Sequence, residues 1–198
     1  MSTTASRPVR ETPEYVEAMA KIRASRLRAA GLTGEYARAE CELGRAVYGM
    51  AKAGRGVYLH GPVGTGKTYA AACAVRKWLD GGGRARLVTA KKLLDQGRDG
   101  FKDGGDRHAL ERAERIPLLA LDDVGLERPT EWAVEALCGL IDERAKRGLP
   151  TVFTSNYRLG ELKKRLGGID GERVASRIAG SCERIEVAGE DRRLECLR

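Results

Sequence analysis

The chain is poor in aromatics: they make up 5% of 198 residues, with two phenylalanines and two tryptophans. A core of stacked rings is excluded, and a row of aromatic platforms for nucleic-acid bases has few residues to draw on. Histidine is scarcer still, with only His60 and His108. The five cysteines (Cys41, Cys73, Cys138, Cys182 and Cys196) form no C-x-x-C pair and stand at no zinc-ligand spacing from a histidine. This excludes a zinc ribbon or finger, and an odd number of scattered thiols reads as reduced. No apolar run approaches the roughly 18 residues that span a bilayer. The opening "MSTTASRPVRETP" lacks the apolar stretch of a secretory signal. The expectation is a cytoplasmic protein with no membrane contact.

What is present is 42% hydrophobic and 32% charged residues, enough for one sizeable core. The net charge of +8, from 36 basic against 28 acidic residues, is spread along the chain and favours phosphate-bearing partners. Residues 1–13, polar with Pro8 and Pro13, read as a disordered arm. Residues 14–34 read as an N-terminal helical segment stopping at Gly31, with Tyr15, Met19, Ile22 and Leu27 on one face. That stripe either docks on a partner or packs on the remainder, residues 35–198, whose first element is expected to be a helix over 35–52.

From Gly56 onward short apolar runs alternate with helical patterns. Strands are expected at 57–60, 85–90, 117–123, 151–156 and 184–187, with a long helix over 130–147. This alternation predicts an α/β fold with a parallel sheet between helices. The polar, glycine-broken segment 98–115 reads as loop plus a short helix.

"HGPVGTGKT" carries Gly61, four residues, then Gly66-Lys67-Thr68 between an apolar strand and a helix. This is the P-loop pattern. Gly61, Gly64 and Gly66 let the backbone curl so that its N–H groups face phosphate oxygens, with Pro62, Val63, Thr65 and Tyr69 in or beside the turn. Lys67 supplies a charge for the β- and γ-phosphates, Thr68 offers a hydroxyl to Mg²⁺, and the helix points its positive end at the anion. ATP or ADP with Mg²⁺ is the expected occupant.

A second magnesium-side group is expected at the end of a neighbouring strand. "LLALDDVG" supplies Asp122 for that role and Asp123 as a candidate general base. Asp123 is one methylene shorter than glutamate, so slow hydrolysis is expected. Asn156, closing "TSN" at another strand end, is placed to reach the γ-phosphate or the attacking water. In "GERVASRIAG", Arg173 and Arg177 share a helix face, with Glu172 the nearest acid noted in their turn.

These motifs, in this order over residues 57–193, resemble the AAA+ ATPases, and within them the bacterial replicative-helicase loaders of DnaC type and their IstB-like transposition relatives. The resemblance implies a P-loop NTPase core with a five-stranded parallel sheet of order 5-1-4-3-2, no separate helical lid domain and a short N-terminal extension. It implies that Arg177, with Arg173 beside it, is an arginine finger acting in trans within a head-to-tail homo-oligomer, and that Arg193 in "GEDRR" senses the subunit's own nucleotide. A hexameric replicative helicase, or alternatively a transposase, is the implied partner, together with single-stranded DNA. Candidate DNA contacts are Lys91, Lys92, Arg98, Lys102 and Arg107, and Lys163, Lys164 and Arg165; the bland alternative is that they are solvated lysines and arginines. The expected DNA affinity is weak and strongly salt-dependent.

Overall fold

Residues 12–99, 106, 108–125, 130–189 and 191 are described by the structure, a computed structural model. Five strands, β1 (Gly56–His60), β2 (Ala85–Thr89), β3 (Leu118–Asp122), β4 (Thr151–Ser155) and β5 (Cys182–Glu186), form one sheet. The order is β2-β3-β4-β1-β5 and every pairing is parallel, which is the expected 5-1-4-3-2 arrangement.

Alternation along the strands divides the core in two. Val57, Leu59, Leu118, Ala120 and Val152 face one layer, with helices α1 (Pro13–Ala29), α2 (Glu42–Lys52) and α3 (Lys67–Asp80). Their neighbours Tyr58, Leu119, Leu121 and Phe153 face the other. That second layer holds α4 (Ala90–Asp99), α5 (Ala109–Arg115), α6 (Glu131–Lys146), α7 (Leu159–Leu166) and α8 (Gly168–Ser181). The first layer is thin because α3 presents a run of buried alanines, from Ala70 to Ala74 around Cys73, that lets helix and sheet approach closely.

The expected helix over 35–52 is two pieces. A 3-10 turn covers Gly34–Arg38, and α2 begins only at Glu42. Cys41 in extended conformation is the cap, its sulfur accepting from Gly44 N–H, while the Ala39 side chain is fully buried. Burying Ala39 and capping at Cys41 outweigh the continuous helical pattern. The stripe of the N-terminal helix is packed only at its C-terminal end. Leu27 is buried, but Val16, Met19 and Ile22 are about half exposed. Strand β5 is the exposed edge and carries Glu183, Arg184 and Glu186, charges that discourage pairing with another chain.

Arg144 on α6 is 1% exposed and bonds four neutral acceptors: Thr151 Oγ1 and the carbonyls of Ala113, Ile116 and Pro150. Burial pulls its pKa down to about 10, still charged at neutral pH. It ties α5, α6 and the start of β4 together.

Candidate nucleotide site

All five strands run the same way, so the P-loop, the Asp122-Asp123 pair and Asn156 emerge on one edge of the sheet. A cavity of about 810 Å³ lies there, lined by Gly64, Lys67, Thr68, Asp122, Asp123 and Asn156 among others. Its far wall comes from the segment after α1, through Thr33, Glu35 and Tyr36.

Gly66 caps α3 with φ of 92°, a left-handed conformation that a side chain would strain. At Gly64 the space a Cβ would need is filled by the Asp191 carboxyl group, which lies against the P-loop. Arg193 itself lies outside the described residues, as do Lys102 and Arg107. Lys67 is 7% exposed, and its amine donates to the carbonyls of Gly61 (2.9 Å) and Pro62 (2.5 Å). Thr65 donates to Pro62 O as well, tightening the loop, and Val63 stands exposed at its tip. Tyr69 lines the cavity and its hydroxyl accepts from Glu40 N–H.

The two strand-end motifs are joined by a residue that sequence reasoning did not single out. Thr154 Oγ1 donates to Asp122 Oδ1 at 2.6 Å and accepts from the Asp123 N–H at 2.9 Å. Thr68 Oγ1 donates to the same Asp122 oxygen at 2.8 Å. Asp122 is buried and fixed between two hydroxyls, whereas Asp123, in a left-handed turn with φ of 55°, is exposed. The next residues are also fixed: Val124 N–H donates to Thr154 O, and the Ser155 hydroxyl donates to Val124 O. Thr68 and Asp122 offer hard oxygens side by side, a donor pair that fits Mg²⁺.

The arginines of α8 lie elsewhere and have partners. Arg177 Nε is 2.6 Å from Asp142 Oδ1 on α6, a close ion pair rather than an aligned hydrogen bond. Arg173 meets Asp170, three residues earlier, at 2.9 Å and Asp142 at 3.5 Å. Glu172, the one acid noted in their turn, pairs with Lys163 instead. The spacing of Asp170 was a signal available in the sequence; Asp142 was not. Both arginines stay more than half exposed. Among the candidate DNA contacts, Lys91 and Arg98 share Asp95, Arg165 stacks on Tyr157, and Lys92 and Lys164 are exposed.

A strand–loop–helix with its lysine in the turn, a buried aspartate on the neighbouring strand and a shared cavity define a P-loop nucleotide-binding protein. More narrowly, the model of the IstB-like ATP binding protein family matches residues 46–197, and the chain belongs to that family. It is 28% identical over 149 residues to the replicative helicase loader DnaI of Bacillus subtilis, covering 71% of this chain and 48% of that one. It is 34% identical over 104 residues to an insertion-sequence ATP-binding protein of Mycobacterium tuberculosis, covering 52% of this chain and 41% of that one. The chain thus spans about half the length of the curated relatives it matches. The crystal structure of DnaI superposes with a TM-score of 0.64 at 26% identity, covering 76% of this chain and 80% of that one. For the DnaC helicase loader the values are 0.63, 27%, 73% and 86%. The AAA+ arrangement of the sheet is shared with these structures. Among the described residues no helix is long and apolar enough to cross a membrane.

Proposed function

We propose that this protein is an ATP-hydrolysing helicase loader, assembling head-to-tail on ATP and engaging a hexameric replicative helicase and single-stranded DNA. The observation that carries the ATPase part is the Thr68–Asp122–Thr154–Asp123 chain of hydrogen bonds beside the P-loop lysine. The likeness to DnaI and DnaC supports the loader part.

In this reading the P-loop N–H groups and Lys67 hold the β- and γ-phosphates. Thr68 and Asp122 hold Mg²⁺, which supplies charge neutralisation on the phosphates when bound. Thr154 keeps the Asp122 carboxylate turned to Thr68 and fixes the backbone of Asp123. Asp123, exposed in the cavity, orients and deprotonates the attacking water, with Asn156 positioning the γ-phosphate or that water. Arg177, with Arg173, belongs to the site of the neighbouring subunit and exchanges Asp142 for the γ-phosphate there. Arg193 reads the subunit's own nucleotide. Lys91, Lys92, Arg98, Lys102, Lys163 and Lys164 contribute backbone contacts to DNA. Residues 14–34 form an N-terminal segment whose exposed stripe is available to a partner, ahead of an ATPase domain over 35–198.

The test is co-elution of purified protein with the host replicative helicase in the presence of ATP or ADP. An ATP-dependent complex of defined stoichiometry that Arg177→Ala abolishes supports the reading. The insertion-sequence relative, with its higher identity, favours a second reading in which the partner is a transposase and the ATPase assists target DNA selection. Association with the transposase and not the helicase would move the protein to that branch.

A further inference from the structure

At the opposite edge of the sheet, where β2 begins, a groove of about 460 Å³ gathers four arginines. Arg26 comes from the last turn of α1, Arg84 and Arg86 from the start of β2, and Arg112 from α5. Between them lies an apolar floor that includes Leu79, Ala85 and Ile116. Two of the guanidiniums are fixed by neutral acceptors: Arg26 donates to Gly83 O at 3.2 Å and Arg86 to Gln96 Oε1 at 3.0 Å. Arg112 bonds Asp106, and the Arg84 side chain has no hydrogen-bonding or ion-pair partner among the described residues. Among the described residues one carboxylate, Asp106, therefore answers four cations. Arg86 is half-buried, and its guanidinium is pushed below its usual range by burial and then by the Arg112 charge.

Holding like charges together in a partly desolvated groove is unfavourable unless an anion enters. Guanidinium forks match phosphate oxygens in pairs. We propose that this groove binds the sugar–phosphate backbone of single-stranded nucleic acid, on a face separate from the ATP cavity and from the lysines named above. The arginines take successive phosphates. The apolar floor takes the sugar and base faces, which a duplex would keep stacked away. The groove shares its ligand with the loader reading, which also engages single-stranded DNA, but it needs neither hydrolysis nor a helicase, and a loss of binding confined to the groove arginines bears on the groove alone.

The experiment is fluorescence anisotropy of a labelled oligothymidylate with the full chain across a salt series. The Arg84 side chain is exposed and has no partner among the described residues, so its replacement leaves the fold intact. Arg84→Glu should weaken binding about tenfold, and each phosphate left without its arginine should lower the salt slope by about 0.7. Arg26→Ala should act in the same direction, while the distant Lys146→Glu should leave affinity unchanged. Failure of the chain to bind the oligonucleotide overturns the proposal. So does an affinity that falls equally in Arg84→Glu and Lys146→Glu, or in neither. Polyglutamate binding that depends on Arg84, with oligothymidylate binding that does not, also overturns it and reassigns the groove to an acidic peptide.

Discussion

The Asp122 cluster and the Arg173–Arg177 pair serve the same proposed reaction, yet they are built in opposite ways. Asp122 sits at the end of a central strand, 8% exposed, fixed by Thr68 and Thr154 from two other elements. Arg173 and Arg177 stand on the outer face of α8, more than half exposed and held by the single carboxylate of Asp142 with Asp170. The first half is complete within one chain, because sheet register brings its groups together and burial strengthens each hydrogen bond. The second half is exposed to solvent and tethered by ion pairs that contribute little to stability. A group that must leave one partner for another benefits from such weak retention.

The largest test of that contrast is Arg177→Ala. Turnover per subunit should fall about 1000-fold, the lower range for an arginine finger, while affinity of dilute protein for nucleotide stays unchanged. Phosphate release measured against protein concentration decides it; equal turnover at every concentration would place the whole catalytic site in one chain. Lys67→Ala should instead weaken nucleotide affinity about 100-fold, through loss of charge-assisted bonds to phosphate, as read by calorimetry on dilute protein.

Thr154→Val sharpens the comparison further, because it keeps the shape and removes one hydroxyl. It should lower turnover about tenfold, one hydrogen bond's worth, with nucleotide affinity little changed. Loss of affinity alone would mean that Thr154 supports binding and not the water-side geometry. The parent protein itself should turn over below about 10 s⁻¹, the median enzyme value, given aspartate in place of glutamate.

The smallest effect concerns His60, just before the P-loop. Its Nδ1 is buried without a partner among the described residues, and burial lowers its pKa, while the charges of Glu186, Arg158, Glu161 and Arg184 act on it from nearby. Below about pH 6.5 the unfolded chain takes up a proton that the folded one resists, so stability falls as pH drops through that window. Thermal melts at about pH 7 and about pH 5.5 should show a smaller loss for His60→Gln than for the parent. An identical loss would remove His60 as the source.

Much of the nucleotide edge was legible because its residues are contiguous. The P-loop, "LLALDD" and "TSN" each declare a backbone shape and a strand end within a few residues, and parallel strands then put their ends together. Thr154 was overlooked because its role depends on a neighbour 32 residues away, and Thr is an ordinary strand residue in its own right. The break at Ala39–Cys41 was invisible for a related reason: helical periodicity continued through it, and only packing against α3 gave Ala39 a buried site.

By itself the sequence determined where backbone curls around phosphate, which faces are apolar and how strands alternate with helices. These are short-range consequences of glycine freedom and of the 2.0 and 3.6 residue periods. The tertiary structure alone decided that Thr154 bridges Asp122 and Asp123, that Asp142 holds the α8 arginines, and that Arg26, Arg84, Arg86 and Arg112 share a groove. Those pairings follow from strand register and from which helix packs beside which, quantities set by the whole core and carried by no local stretch of chain.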